Sequence, residues 1–244
     1  MIRWPRLWLS LVLTLAAVLI LLPRAADAQT LDEVLARHAV AHGGLEKWRA
    51  VHSLIVSGTA VHYSNAGPFV FEWREPDSSR FEQSAFGQKL LYVHDGSVTW
   101  WVQPLLGVEK PAVLSEPEAA LIRRAAAFAS PLVDAAAQGN KVELLGKDEV
   151  DGQPALKLEV TRKDGFEETW YLDPSTCLEI ARVDHTLDST GTKERWTYYS
   201  DFRTVDGLVI AHRQDQEYGI RHVALTVEKV QVNPEIDPKR FEMK

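Results

Sequence analysis

The sequence predicts an α+β fold: a strongly curved antiparallel sheet of about 11–12 strands, an incomplete β-barrel, covered by helices. Strand-like alternation of apolar and polar residues recurs between short turns along most of the chain. Helix-like periodicity occurs only at the start and in the middle. Because an incomplete barrel leaves an apolar concave face exposed, we expect an N-terminal helix and a two-helix lid to cover it.

The N-terminal segment has the character of a secretory signal peptide. Two arginines precede an apolar run from Leu7 to Leu22, and Ala26-Asp27-Ala28 fits a cleavage site. An uncleaved membrane anchor is the alternative, but the run is short of the roughly 20 residues that a spanning helix needs. We therefore expect a periplasmic protein, with residues 1–28 as signal peptide and residues 29–244 as a single domain.

The composition is that of an ordinary globular protein, with 45% hydrophobic and 25% charged residues. Its formal net charge of −7 provides no electrostatic basis for binding nucleic acid or anionic lipid surfaces, and no nucleic-acid partner is predicted. The single cysteine, Cys177, excludes an internal disulfide. It is also far from the expected cleavage site, so an N-terminal lipidated cysteine is not predicted.

The first helix of the expected mature chain begins at a capping box, Thr30-Leu31-Asp32-Glu33, and ends where Gly43-Gly44 follows His42. His38 and His42 lie four residues apart, which suggests a zinc site. However, the glutamate that a helix-borne zinc protease places beside its first histidine is absent, and no third ligand is spaced to join them. We interpret both histidines as packing or capping residues and predict neither a metal nor a cofactor.

The stretch around which the fold is organised runs from Pro68 to Pro104, where aromatic-rich strands follow one another as a meander. Side chains two positions apart share a face of a strand, and the pair Asp95-Gly96 predicts a type I′ hairpin turn. We predict that the large apolar face lines a cavity for an acyl chain. The predicted lining residues are Phe69, Phe71, Trp73, Phe81 and Trp100. The alternative is that these aromatic residues simply fill a core.

A helical pattern interrupts the strands in the middle of the chain. Ser115-Glu116-Pro117-Glu118 is a second capping box, Ser130-Pro131 breaks the helix, and residues 132–137 are expected to resume it. The lid residues predicted to contact the ligand are Leu121, Ile122 and Phe128. Because short helices depend on packing for their order, we expect residues 116–138 to open as a mobile lid.

Strand patterns return at Lys141 and continue almost to the end of the chain, separated by turns such as Asp164-Gly165. This part provides no catalytic constellation. Glu167 and Glu168 are adjacent on a strand and point to opposite faces, and a cross-strand pair of His212 and His222 is more often a surface contact. We predict no catalytic residues and no enzymatic activity.

Several short motifs, taken in order, resemble the LolA/LolB-like periplasmic lipoprotein carriers. They are Arg74-Glu75-Pro76, Asp95-Gly96-Ser97-Val98-Thr99-Trp100, Tyr171-Leu172-Asp173-Pro174-Ser175-Thr176 and Val232-Asn233-Pro234. The resemblance implies a monomeric half-barrel that binds acyl chains of lipoproteins or lipids and moves them toward the outer membrane. Its partners would be an inner-membrane donor and an outer-membrane acceptor.

One position departs from the pattern of the carriers. In the dedicated carrier an arginine directly before the proline ties the sheet to the lid, whereas this chain has Glu75 there and Arg74 one residue earlier. A shift of one residue along a strand turns the side chain to the opposite face. The lid latch of the carriers is therefore not predicted for this chain, and free lipids stand beside lipoproteins as candidate cargo. A lipid- or lipoprotein-sensing regulatory module of the same fold is the alternative function.

Overall fold

The computed structural model describes residues 29–126, 129–188 and 191–243. The signal peptide predicted for residues 1–28 lies outside the described residues. No helix in the described ranges combines the length and the apolar character that are needed to cross a membrane.

Within the described residues, thirteen strands form one antiparallel sheet. The first six are β1 Ser53–His62, β2 Asn65–Arg74, β3 Ser78–Ala85, β4 Gln88–His94, β5 Thr99–Gln103 and β6 Val108–Val113. The other seven are β7 Lys141–Val150, β8 Gln153–Thr161, β9 Glu167–Leu172, β10 Glu179–Asp188, β11 Gly191–Val205, β12 Leu208–Tyr218 and β13 Arg221–Val232. The predicted curved antiparallel sheet is confirmed.

The strand order explains why the barrel is incomplete. β1 to β6 form one meander and β7 to β13 form another, and the two join where β1 pairs with β13. β6 and β7 are the two outer edges of the sheet, so the sheet does not close. The segment that connects them, residues 114–140, is called the lid segment below.

The helices are α1 Leu31–Ala41, α2 Leu45–Arg49 and α3 Glu116–Ala125. Both predicted capping boxes are formed, at Thr30 with Glu33 and at Ser115 with Glu118. The second helix expected in the lid segment differs from the prediction, because residues 131–139 form a series of turns. Asp134 has a φ of +56°, a left-handed conformation that interrupts a right-handed helix.

Turn geometry also differs at one predicted hairpin. Asp151-Gly152 and Asp206-Gly207 have positive φ at both residues, as type I′ turns require. At Asp95-Gly96 only the glycine has a positive φ. The Asp95 carboxylate instead accepts hydrogen bonds from the backbone N–H groups of Ser97 and Val98, at 2.9 and 2.8 Å, and so stabilises a different turn.

The largest core cluster joins α1, the lid segment and the second meander. Val34 of α1 and Leu132 of the lid segment pack on Leu158 and Trp170 of β8 and β9. Leu132 is only 2% exposed. The second half of the lid segment is therefore part of the core, which argues against the expectation that residues 116–138 open as one unit.

Candidate functional site

A cavity of about 220 Å³ lies between the lid segment and the concave face of the sheet. One end of its wall is apolar and carries Val56, Phe69, Phe71, Phe81, Leu225 and Val227. The other end is polar and carries His42, Arg162, Glu179, Arg182, Arg195 and Tyr199. Ala125, Ala129, Ser130 and Pro131 of the lid segment cover it. The site is therefore amphipathic.

The aromatic part of the apolar end is built by the first meander, and β13 adds Leu225 and Val227. Phe71 of β2 lies directly opposite Phe81 of β3, and paired residues of an antiparallel ladder point to the same side. The rings of Phe69 and Phe81 are stacked, with their centroids 5.9 Å apart. Three of the five strand residues predicted to line the cavity therefore come together in its wall.

Trp73 and Trp100 lie elsewhere. Trp73 is half-buried and packs against two neighbouring core clusters, outside the described lining of the cavity. Trp100 lies on the face opposite Phe71, because the register pairs Phe81 with Tyr92 and Tyr92 with Trp101. The alternation correctly predicts that Trp100 lies in a strand. It does not determine which face of the sheet Trp100 occupies beyond the hairpin at Asp95-Gly96.

On that outer face, Trp100 belongs to a separate core. It packs with Val93, Ile236 and Phe241, and its indole N–H donates to the Phe241 carbonyl at 3.2 Å. The C-terminal turn that carries Phe241 is held by Arg240, which makes two hydrogen bonds to the buried Glu72 carboxylate at 2.7 and 2.8 Å. Trp100 therefore has a structural environment of its own.

The lid residues that were predicted to contact the ligand are not found in the cavity lining within the described part of the chain. Leu121 and Ile122 are half-buried on α3 and are not among the described residues that line the cavity. Phe128 lies outside the described residues. Small side chains, with Ala125 and Ala129 among them, form the cover instead. The apolar stripe in the sequence contains Ala125 and Ala129 as well as Leu121 and Ile122, so the pattern alone could not show which of them face the cavity.

Two ion pairs hold the lid segment to the rest of the structure. Arg124 of α3 pairs with Asp164 of the β8–β9 turn at 2.8 Å, and its guanidinium lies 4.0 Å from the Phe166 ring centroid. Arg49 of α2 pairs with Asp134 at 2.6 Å. Glu75, which replaces the arginine of the carriers, accepts a hydrogen bond from His52 at 2.8 Å. In this chain, contacts to α2 and the β8–β9 turn hold the lid segment.

The polar end is built by β8 to β11 and contains charges that sequence reasoning missed. Arg182 of β10 lies opposite Trp170 and Thr197, so its side chain shares the concave face with theirs. Arg195 pairs with Asp184 at 2.9 Å, and Arg182 lies 3.3 Å from the same carboxylate. The sequence did contain a signal for this polar end. Arg182 and Asp184 are two positions apart and therefore share one face of β10, and the register places Trp170 on the same face of the sheet.

Two aromatic residues complete the polar end. The rings of Trp170 and Tyr199 are stacked at 5.8 Å, and Arg182 lies 5.6 Å from the Trp170 centroid. Burial raises the pKa of the Tyr199 hydroxyl to about 12, so this group stays protonated. Burial opposes the charge of Arg182, but Tyr199, Glu168 and the neighbouring Asp184 raise its pKa above the ordinary value.

His42 and His38 meet a buried carboxylate, Glu179 of β10. The His42 ring donates to Glu179 at 2.8 Å, while His38 Nε2 lies 3.6 Å from the other carboxylate oxygen. His38 Nδ1 hydrogen-bonds the Cys177 carbonyl at 2.8 Å, and His42 Nδ1 hydrogen-bonds the Val209 carbonyl at 2.9 Å. These carbonyl contacts orient both rings toward Glu179.

The positions of these three groups shift their pKa values. Burial lowers the pKa of His38. Burial is the largest single influence on His42 and opposes its charge, but the hydrogen bond and charge attraction to Glu179, together with the hydrogen bond to Val209, raise the pKa of His42 above its ordinary value. Burial alone would raise the pKa of Glu179, whereas the two imidazoles together lower it to about 2. These shifts favour the charged forms of His42 and Glu179 and the neutral form of His38.

His38, His42 and Glu179 are also the described residues that could hold a metal, since three ligand atoms lie within 4.8 Å of one another. The expectation that no third ligand joins the two histidines is therefore wrong. Glu179 is 137 positions from His42, so spacing along the sequence could not reveal it. Zinc bonds of about 2.0–2.1 Å at tetrahedral angles separate ligand atoms by roughly 3.3 Å. The 2.8 Å separation of His42 and Glu179 is that of a hydrogen bond, and we interpret the cluster as an ion pair.

The remaining pairs weighed in the sequence do not form sites. Glu168 is buried and Glu167 is exposed, as expected for opposite faces. His212 is buried and hydrogen-bonds the Val227 carbonyl at 3.0 Å. His222 lies opposite Glu217 in the register, which places it several residues along the strand from His212. The two histidines therefore do not face each other.

Three solved structures have a similar fold. A LolA superfamily protein from Nitrosomonas europaea matches with a TM-score of 0.57 and 13% identity, over 88% of this chain and 98% of that chain. A domain from Vibrio parahaemolyticus, described as an outer membrane lipoprotein-sorting protein, has a TM-score of 0.54 and 11% identity, over 87% and 97%. A DUF1329 family protein from Desulfovibrio piger has a TM-score of 0.53 and 13% identity, over 86% and 97%.

These similarities show the fold and confirm, at that level, the resemblance to LolA-like proteins. No profile of a known protein family matches the sequence, and no curated protein sequence matches it.

Proposed function

We propose that residues 29–244 are a periplasmic carrier that holds the acyl chains of lipids or lipoproteins in the cavity and moves them toward the outer membrane. A signal peptide in residues 1–28 would export it. Its partners would be an inner-membrane donor and an outer-membrane acceptor, and it would act as a monomer without catalysis.

The observation that carries the proposal is the apolar end of the cavity. Phe69, Phe71 and Phe81 form an aromatic wall that the lid segment covers without filling the space. Apolar surface that borders an unfilled cavity suits an apolar ligand, because transfer of an acyl chain from water is favourable by about 0.8 kcal/mol per CH₂ group. The likeness in fold to a protein described as lipoprotein-sorting supports the same direction.

The size of the cavity indicates that loading needs movement. Its volume of about 220 Å³ lies below the roughly 300–1,000 Å³ of sites for drug-sized ligands. A long acyl chain would therefore displace part of the lid segment. α3 is the part that can move, because only Ala119 of this helix is buried and its Arg124–Asp164 pair is partly exposed.

The proposal is tested by native mass spectrometry and a transfer assay. The mature chain is incubated with donor vesicles that contain a fluorescent acyl lipid, purified, weighed intact and mixed with acceptor vesicles. A carrier should gain the mass of the lipid and deliver it to the acceptor. Tight binding without delivery would favour the sensing module, and a chain that gains no acyl mass under any condition would contradict both functions.

A further inference from the structure

The polar end of the cavity presents hydrogen-bond donors. Its wall is formed by three guanidinium groups and one phenol, from Arg162, Arg182, Arg195 and Tyr199. The carboxylates that pair with the arginines, Glu168 and Asp184, are almost fully buried and are not among the described residues of the wall. A ligand in the cavity therefore meets the positive partner of each ion pair first.

The charges at this end do not cancel. Glu168 pairs with Arg162 and lies 3.6 Å from Arg182. Asp184 lies 2.9 Å from Arg195 and 3.3 Å from Arg182. In the described part of the chain, three guanidinium groups thus share two carboxylates, and one positive charge is left over. The third carboxylate of the cavity, Glu179, is already matched by His42.

Two donors at this end also lack an acceptor. Trp170 is only 3% exposed, and its buried indole N–H has no hydrogen-bond partner among the described residues. The Nε atom of Arg182 is likewise buried and makes no hydrogen bond in this part of the structure, since the nearest Glu168 oxygen lies 3.6 Å away. Unsatisfied buried donors cost about 1–3 kcal/mol each, so a ligand whose acceptor oxygens reach them would remove a penalty.

We propose that the polar end binds the anionic head group of a single-chain amphiphile, a carboxylate or a phosphate, while its acyl chain lies against Phe69, Phe71 and Phe81. This inference rests on the proposed function, because it assumes that the cavity accepts acyl chains. It names the ligand class more closely: an acyl chain without an anionic head group, such as that of a neutral glyceride, would leave the extra positive charge unmatched. The net charge of −7 opposes docking on an anionic surface but does not determine the local field in a cavity.

The experiment compares amphiphiles that have the same chain and different heads. Isothermal titration calorimetry on the mature chain uses palmitate, 1-palmitoyl lysophosphatidic acid and neutral 1-palmitoylglycerol, each below its critical micelle concentration. We expect at least one anion to bind about ten-fold or more tightly than the glyceride, as charge-assisted hydrogen bonds do. Palmitate and the phosphate distinguish a fatty acid from a phospholipid as the source of the head.

Variants locate the preference. Arg182→Gln should remove most of the anion preference while the affinity for 1-palmitoylglycerol is kept, and Arg182→Lys should restore part of it. Arg195→Gln serves as a second variant if Arg182→Gln fails to fold. The matched control is Arg213→Gln, since Arg213 of β12 is paired with Asp215 outside the described wall of the cavity. It should leave all three affinities unchanged.

The outcomes separate this inference from the proposed function. Equal affinities of the intact protein for anionic and neutral amphiphiles would overturn the inference and leave the carrier proposal standing. An anion preference that survives both glutamine variants would also overturn it. If none of the three amphiphiles binds, the acyl-binding function itself fails.

Discussion

Phe71 and Phe81 lie directly opposite each other on β2 and β3, and both side chains line the cavity. Trp100, two strands further along, faces the other side of the same sheet, where its indole N–H donates to the Phe241 carbonyl. The same meander therefore supplies a cavity wall on one face and a closed core on the other. This division makes the role of each aromatic residue separable by mutation.

We expect Phe81→Ala to weaken acyl binding with a moderate loss of stability, because Phe81 is half-buried in the wall. Trp100→Ala should cost roughly 3–5 kcal/mol of unfolding free energy, as for other large core truncations, and leave acyl affinity unchanged in the folded fraction. Urea unfolding and ligand titration measure the two effects. Loss of affinity in folded Trp100→Ala, or none in Phe81→Ala, would contradict this division.

The lid segment should exchange its amide hydrogens in two distinct halves. In the empty protein, α3 (Glu116–Ala125) should exchange quickly, because only Ala119 of this helix is buried. Residues 131–135 should stay protected, because Leu132 and Val133 are each only 2% exposed. Hydrogen exchange with and without palmitate measures this, and ligand should slow α3 alone. Equal protection of α3 and the central strands in the empty protein would mean that α3 does not open.

The Arg124–Asp164 pair should control that opening. Asp164→Ala removes a partly exposed ion pair worth roughly 0.2–1 kcal/mol, so we expect faster exchange in α3 and faster ligand release, with almost unchanged global stability. The matched control is Asp148→Ala, which removes the Lys157–Asp148 pair on β7 and β8, away from the lid segment. Identical exchange of α3 in Asp164→Ala and Asp148→Ala would show that the pair does not hold the helix.

The His42–Glu179 pair predicts a pH-dependent stability. Because folding raises the pKa of His42, its contribution is fully present below about pH 6.5 and is lost as pH rises through the folded pKa. The lowered pKa of Glu179, about 2, makes its contribution present above 4.5 and lost as pH falls toward 2. Burial lowers the pKa of the neighbouring His38, so this residue reduces the stability of the folded state as pH falls below about 6.5.

His42→Gln tests this sign. Removal of one partner of a buried pair should cost roughly 3–5 kcal/mol near pH 6, where both groups are charged, and clearly less near pH 9. Urea unfolding of the variant and the unmodified chain at both pH values isolates the contribution, since His38 is present in both proteins. His222→Gln, which removes an exposed histidine, is the control. A cost that is the same at both pH values would contradict a charged pair.

Patterns with local causes were predictable from the sequence. The capping boxes at Thr30 and Ser115 and the alternation of Phe69 and Phe71 depend on neighbours within a few positions, and all of these features are present. The side of the sheet that Trp100 faces depends on the number of residues in the Asp95-Gly96 turn, and a single-residue difference reverses it.

Features that join distant segments were not predictable in the same way. Glu179 meets His42 only because β10 runs beneath the end of α1, and a register irregularity after Glu179 changes which face the following residues occupy. The polar end likewise depends on the pairing of β9, β10 and β11, which brings Trp170, Arg182 and Thr197 side by side. Alternation alone could not show that this part of the concave face is charged.

The central claim is that the cavity itself binds an acyl chain, and a variant that fills it tests this most directly. Ala211 lines the cavity, so Ala211→Trp places an indole in the space, whereas Ala66→Trp adds the same side chain at an exposed position of β2. Native mass spectrometry after incubation with palmitate should detect the bound acid on the unmodified chain and on Ala66→Trp but not on folded Ala211→Trp. Equal loading of all three proteins would contradict binding in the cavity.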